Sequence, residues 1–167
     1  VLAAVAGGVT IVQLRDKGLP FLQAVQFSLR LPAIAHAADA LFIVNDRVDV
    51  TLAANADGVH LGPDDVTPGE ARRRLGPEKL VGVSVNSIEE ARTAAAAASY
   101  FGVGAIYGTA TKSDAGPPIG VERLREIKTA FPSHPLVAIG GIGDANIGEV
   151  ARAGADAAAV VSAVICA

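Results

Sequence analysis

A chain of 167 residues with 51% hydrophobic and only 4% aromatic side chains has the material for one sizeable core of Val, Ile, Leu and Ala. A formal charge of -3 leaves no dominant basic face for nucleic acid, and the lone cysteine, Cys166, excludes an internal disulfide. No run approaches the roughly 18 consecutive apolar residues of a membrane span.

The opening VLAAVAGG has neither the basic start nor the cleavage pattern of a signal peptide. It reads as the last turns of a helix closing at Gly7-Gly8, and a cytoplasmic protein is expected. Position 1 is Val, and methionine is absent throughout. The expectation is therefore a chain without its natural start.

Val9 to Leu14 is the first predicted strand, running into Arg15, Asp16, Lys17 and Gly18. Phe21 to Asp39 carries apolar residues at helical intervals, with Pro32 set to kink or split it. Leu41 to Val44 is the second strand, ending on Asn45-Asp46. A short helix over Val48 to Ala56 leads to a third strand, Gly58 to Leu61. Glu70 to Leu75 is helical, and the fourth strand, Leu80 to Val83, ends on Ser84. An alanine-rich helix, Ile88 to Ala98, precedes the fifth strand, Tyr100 to Ile106. After a long polar loop come a helix over Gly120 to Phe131, a strand over Leu136 to Ile139, a helix over Asn146 to Ala153 and a strand over Ala157 to Val161.

NADGVHLG and GADAAAVVS both pass from a helix end through Ala-Asp into a short apolar strand. Strand starts recur every 20 to 35 residues or so, the βα rhythm of a parallel sheet. That rhythm leaves an open doubly wound sheet or a (β/α)₈ barrel. Open sheets of this kind usually show one dominant phosphate loop. Here polar or charged residues, or glycine, follow nearly every strand: Arg15, Asp46, Gly62 before Asp65, Ser84, Thr109, Gly141 and Ser162. Chemistry gathered from many strand ends is the habit of the barrel. The expectation is one α/β domain over residues 1–167, a (β/α)₈ TIM barrel lacking its first strand and last helix.

The longest loop, within FGVGAIYGTATKSDAGPPIG, brings Thr109, Thr111 and Lys112 together after a buried strand. Hydroxyls, glycine-freed N–H groups and an ammonium suit an anionic group. On the strand-end face, Arg15, Lys17 and Lys112 could meet Asp46 and Asp65. Carboxylates among cations make sense if a hard cation such as Mg2+ lies between them and a substrate phosphate. Solvated surface ion pairs are the competing explanation. Gly140-Gly141, with Val161-Ser162 further on, suggests a second anion site, although GGIG also reads as a tight turn.

The ordered motifs VTIVQLRDKG, LFIVNDRVDV, ADGVHLGPDD, VGVSV, GVGAIYGTATKSDAGPPIG and AIGGI with VVSA resemble the thiamine-phosphate synthase family over nearly the whole chain. The resemblance implies a (β/α)₈ barrel and a Mg2+-dependent enzyme. Such an enzyme joins 4-amino-5-hydroxymethyl-2-methylpyrimidine diphosphate to a thiazole phosphate, releasing diphosphate. It further implies that Gln13, Arg15, Lys17, Asn45, Ser84 and Lys112 hold the pyrimidine diphosphate, with Lys112, Arg15 and Lys17 as catalytic candidates. Asp46 and Asp65 would hold Mg2+, and Thr109, Thr111, Gly141, Val161 and Ser162 the thiazole phosphate. The chain departs from the family where Gly108, rather than proline, follows Tyr107. The implied partners are small molecules, with neither nucleic acid nor membrane, and a homo-oligomer is compatible. A thiazole tautomerase paralogue and a non-catalytic phosphate-binding barrel are the rival readings. Retention of QLRDK, Asp46, Asp65 and Lys112 argues against the tautomerase.

Overall fold

The computed structural model describes residues 1–109 and 116–165. They form two compact units, Val1–Gly82 and Val83–Ala167.

The first unit runs α1 (Leu2–Ala6), β1 (Ile11–Leu14), α2 (Phe21–Ser28), α3 (Leu31–His36), β2 (Leu41–Asn45), α4 (Val48–Ala53), β3 (Gly58–Leu61) and α5 (Pro68–Leu75). It then enters β4 (Leu80–Val85), which crosses the boundary between the units. Pro32 splits the predicted long helix, because proline fits the first turn of α3 but not a helix interior. α5 starts where Thr67 accepts the Glu70 N–H at 3.3 Å and Pro68 opens the first turn. β1 starts later than expected and alternates rather than being buried throughout.

β1 pairs with β2 and β2 with β3, both in parallel, placing Gln13 beside Ile43 and Asn45 beside His60. Phe42, Val44, Ala35, Val50 and Ala56 form a buried cluster on which Val12 and Leu14 pack. Side chains alternate along a strand, so Gln13, Ile43, Asn45 and His60 share the face opposite that cluster.

At the other strand ends, Asp57 fastens neighbouring strands. Its carboxylate accepts the Phe42 N–H at 2.7 Å, its own N–H donates to the Phe42 carbonyl at 2.9 Å, and His36 Nε2 lies 2.9 Å from its Oδ2.

The second unit takes up β4 and continues through α6 (Ile88–Ala94), β5 (Tyr100–Val103), α7 (Gly120–Ala130), β6 (Leu136–Ile139), α8 (Ile147–Arg152), β7 (Ala157–Ala159) and α9 (Ser162–Ile165). Here β5, β6 and β7 pair in parallel in chain order. α6 is capped by Ser87, which accepts the Glu90 N–H at 3.2 Å, while the Glu90 carboxylate accepts the Asn86 N–H at 2.6 Å. Phe101 stacks on His134 at 4.7 Å and meets the Phe131 edge at 5.6 Å. The fastening device recurs. Asp156 accepts the Leu136 N–H at 2.8 Å and the Lys128 ammonium at 2.9 Å, and its own N–H donates to the Leu136 carbonyl at 2.9 Å.

The Ala-Asp repeat read in the sequence is thus a repeated lock at the start of strands β3 and β7. The architecture is α/β, with parallel pairing between chain neighbours in each unit. One helical turn, α9, follows β7. Among the described residues, no helix is long and apolar enough to cross a membrane.

Candidate active site

In the first unit the candidate site residues gather toward the C-terminal ends of the strands. Asp16 turns the chain after β1, its Oδ1 accepting the Gly18 N–H at 2.8 Å and the Leu19 N–H at 3.1 Å. That turn sets Arg15 and Lys17 on either side of it. Beyond β2 the chain makes a tight three-residue turn, the Arg47 N–H donating to the Asn45 carbonyl at 2.8 Å around Asp46 at φ 65. A positive φ is uncommon outside glycine, though Asp tolerates it better than most. The Asp46 N–H donates to the His60 carbonyl at 2.8 Å, which ties this turn to β3.

Asp65 is fixed from its own side, its Oδ2 accepting the Gly62 N–H at 2.7 Å. The side chains of Asp46 and Asp65 are neighbours, although 19 positions separate them in the chain. The Asp46 carboxyl is pushed up to about 6, by burial first and then by the hydrogen bond and charge of Asp65; Lys17 and Arg15 pull it part of the way back. Two carboxylates and two cations thus share one corner.

A divalent ion fits that donor set. Among the described residues no third His, Cys, Asp or Glu joins the pair to form a cluster able to hold a metal ion. Two carboxylates completed by water and substrate phosphate is an arrangement suited to Mg2+.

In the second unit the backbone follows β5 past its last strand residue. The Ile106 N–H donates to the Ile139 carbonyl at 2.9 Å and the Tyr107 N–H to the Gly140 carbonyl at 3.0 Å. The far side of the loop returns to the same place, the Ile119 N–H donating to the Ala105 carbonyl at 2.8 Å and the Gly120 N–H to the Ile106 carbonyl at 3.1 Å. Gly140 and Gly141 have φ 100 and 64, and a Cβ on Gly141 would come within 2.6 Å of the Gly108 carbonyl oxygen. No other residue fits there without movement. Asn146 braces this turn, its Nδ2 donating to the Gly141 carbonyl at 2.8 Å and its Oδ1 accepting the Gly143 N–H at 2.9 Å. Thr109 and Ser84 are half-buried at the ends of this segment and within β4, while Val161 and Ser162 are exposed at the start of α9.

The structure therefore brings Asp46 and Asp65 together with Arg15 and Lys17, and places Gln13 and Asn45 on one sheet face. It sets Gly141 against the segment leading to Thr109. Thr111 and Lys112 lie outside the described residues. Three contributors were not read as such from the sequence: the Gly62 N–H, Asn146 and the His60 carbonyl. An asparagine closing a GGIG turn was the one available signal, since Asn side chains often bond backbone groups nearby.

The model for thiamine monophosphate synthase matches residues 1–164. The chain belongs to the thiamine monophosphate synthase family. It is 48% identical to the thiamine-phosphate synthase of Moorella thermoacetica, covering 99% of this chain and 79% of that protein. Identity to the Methanoculleus marisnigri thiamine-phosphate synthase is 50%, over 97% and 77% of the two chains. Among solved structures, the thiamine phosphate pyrophosphorylase of Pyrococcus furiosus superposes with a TM-score of 0.91 at 42% identity, covering 99% of this chain and 79% of that one.

Proposed function

We propose that this chain is a thiamine-phosphate synthase acting through the residues described above, a transferase of thiamine biosynthesis. The observation that carries the site assignment is the contact between Asp46 and Asp65 with Lys17 and Arg15 at hand. Like charges held together at a strand end are a poor stabilising device, so their placement calls for a ligand that rewards it. The substrates are the pyrimidine diphosphate and a thiazole phosphate, and the fold is of the (β/α)₈ TIM-barrel type.

Mg2+ held by Asp46 and Asp65 would neutralise charge on the diphosphate. Arg15 binds diphosphate oxygens through its planar fork and Lys17 as a mobile point charge. Lys112 joins them by family resemblance, and Gln13, Asn45 and Ser84 orient the pyrimidine end. The bond from the pyrimidine methylene carbon to diphosphate oxygen breaks with its electron pair leaving on oxygen. The thiazole nitrogen then donates its lone pair to that carbon. Thr109, Thr111, Gly141, Val161 and Ser162 hold the thiazole phosphate, which is unchanged in the reaction. The chain's part is positioning and electrostatic stabilisation of the leaving group.

Incubation with both substrates and Mg2+ tests the reading, following diphosphate and thiamine phosphate together. Stoichiometric release of both supports it. Conversion of the thiazole alone without diphosphate would make the chain a tautomerase, and binding without turnover a non-catalytic phosphate-binding barrel.

A further inference from the structure

Tyr107 lies between the two segments assigned to the thiazole phosphate, two residues before Thr109 and against Gly141. Its N–H donates to the Gly140 carbonyl at 3.0 Å, and its Cβ is 2.8 Å from where a Cβ on Gly141 would lie. Its phenol reaches across to α8, the hydroxyl donating to Glu149 Oε2 at 2.7 Å. α8 begins just after Asn146, the residue that braces the Gly141 carbonyl. The segment after β5 and the glycine turn after β6 are therefore joined twice, by backbone at Gly140 and by a phenol–carboxylate bond at Glu149.

The backbone bonds of residues 105–107 to Ile139 and Gly140 already hold the chain in place without the phenol. The hydroxyl adds little to a core, since both side chains reach solvent. Glu149 also raises the phenol's pKa through this bond, so the hydroxyl keeps its proton and stays the donor. What the bond does add is a second tie between the segment leading to Thr109 and α8, the helix that follows the turn carrying Gly141.

We propose that Tyr107 and Glu149 are a positioning pair for the phosphate-bearing thiazole substrate, holding the Thr109 segment and the Gly140-Gly141 turn at the spacing its phosphate requires. The proposal rests on the assignment of Thr109 and Gly141 to that phosphate.

Steady-state kinetics of the full chain, varying each substrate in turn, tests it. Tyr107→Phe should raise KM for the thiazole phosphate about three- to tenfold, the scale of losing one charge-assisted hydrogen bond that is partly screened by water. KM for the pyrimidine diphosphate and kcat should stay within about twofold. Glu149→Ala should match Tyr107→Phe, and the double variant should be no worse than either, because both remove one bond. Glu149→Gln should keep the thiazole phosphate KM near the parental value, as the amide oxygen still accepts the phenol O–H. Thr109→Ala separates the two levels of the argument. If it leaves the thiazole KM unchanged, the phosphate assignment fails. If it raises that KM while Tyr107→Phe does not, the positioning pair alone is overturned. Equal rises in both KM values, or a fall in melting temperature with both KM values parental, would also overturn the pair.

Discussion

Asp46 and Asp65 are neighbours brought together from turns that different strands impose, one around φ 65 and one on the Gly62 N–H. Neither turn needs the other to form. The meeting of two acids is therefore a property of the fold, and each acid can be tested separately.

Asp46→Asn or Asp65→Asn should lower diphosphate release at limiting Mg2+ by about tenfold or more. Without metal the same variants should melt at the parental temperature or slightly above, because one of two like charges has gone. A Mg2+ titration of turnover beside a metal-free melt checks both halves. A variant that loses stability and keeps full turnover at limiting Mg2+ would make the pair structural.

Lys112 lies outside the described residues, and its expectation rests on the TATK sequence. Lys112→Ala should cost about 10²–10³ in the chemical step, since an ammonium that follows charge onto the leaving diphosphate acts on the barrier itself. Arginine should rescue poorly, its broader guanidinium having to fit beside a metal. Saturating single-turnover kinetics gives the answer, and a rate within about threefold of the parent would reject the role, because a charged hydrogen bond is worth more.

Thr111→Ala, in the same segment, should act on binding instead. Its hydroxyl is assigned to a phosphate that the reaction leaves alone, so the contact is equal in ground and transition states. The thiazole phosphate KM should rise with kcat held. A fall in kcat with both KM values parental would count against it.

The pH dependence of stability should show Asp156. The Leu136 N–H first, and then Lys128, hold its carboxyl below the usual carboxylate range. A depressed folded pKa contributes stability that is complete above the unfolded value of about 3.9 and is lost as pH falls through the folded one. The side chain is 48% exposed, so solvent screening limits the contribution to about 1 kcal/mol or less. Denaturant unfolding should show Asp156→Asn less stable than the parent at neutral pH, with the gap closing at strongly acid pH. An equal gap at both would mean that the charge contributes nothing.

Much of the fold was legible because its signals are local. The β3 and β6 boundaries, Gly58–Leu61 and Leu136–Ile139, are those expected from short apolar runs bounded by turn formers. Pro32 acted where steric rules place it. The misplaced ends have tertiary causes. Alanine favours helix everywhere in Thr93 to Ser99, yet α6 stops at Ala94, and the Ala97 and Ala98 N–H groups both donate to its carbonyl as the chain turns toward β5. β5 stops at Val103 because the following residues pair with Ile139 and Gly140 outside regular strand geometry. The site was legible as a set of residue types after strands, but not as contacts. Spacing could not show that Asp46 faces Asp65, nor that Asp57 and Asp156 would seek backbone N–H groups 15 and 20 positions away.

The left-handed turn at Asp46 reverses the usual ranking of conservative changes. Glutamate preserves the charge but brings a longer side chain to a φ of 65, where only short polar residues and glycine are at ease. Asparagine sits comfortably and removes the charge. The sequence neighbours that this backbone accepts most readily are thus the ones that disarm the carboxylate, and the ones that keep the acid disturb its aim. Variation at this position is confined from two sides, by geometry and by chemistry, and aspartate is the residue that meets both.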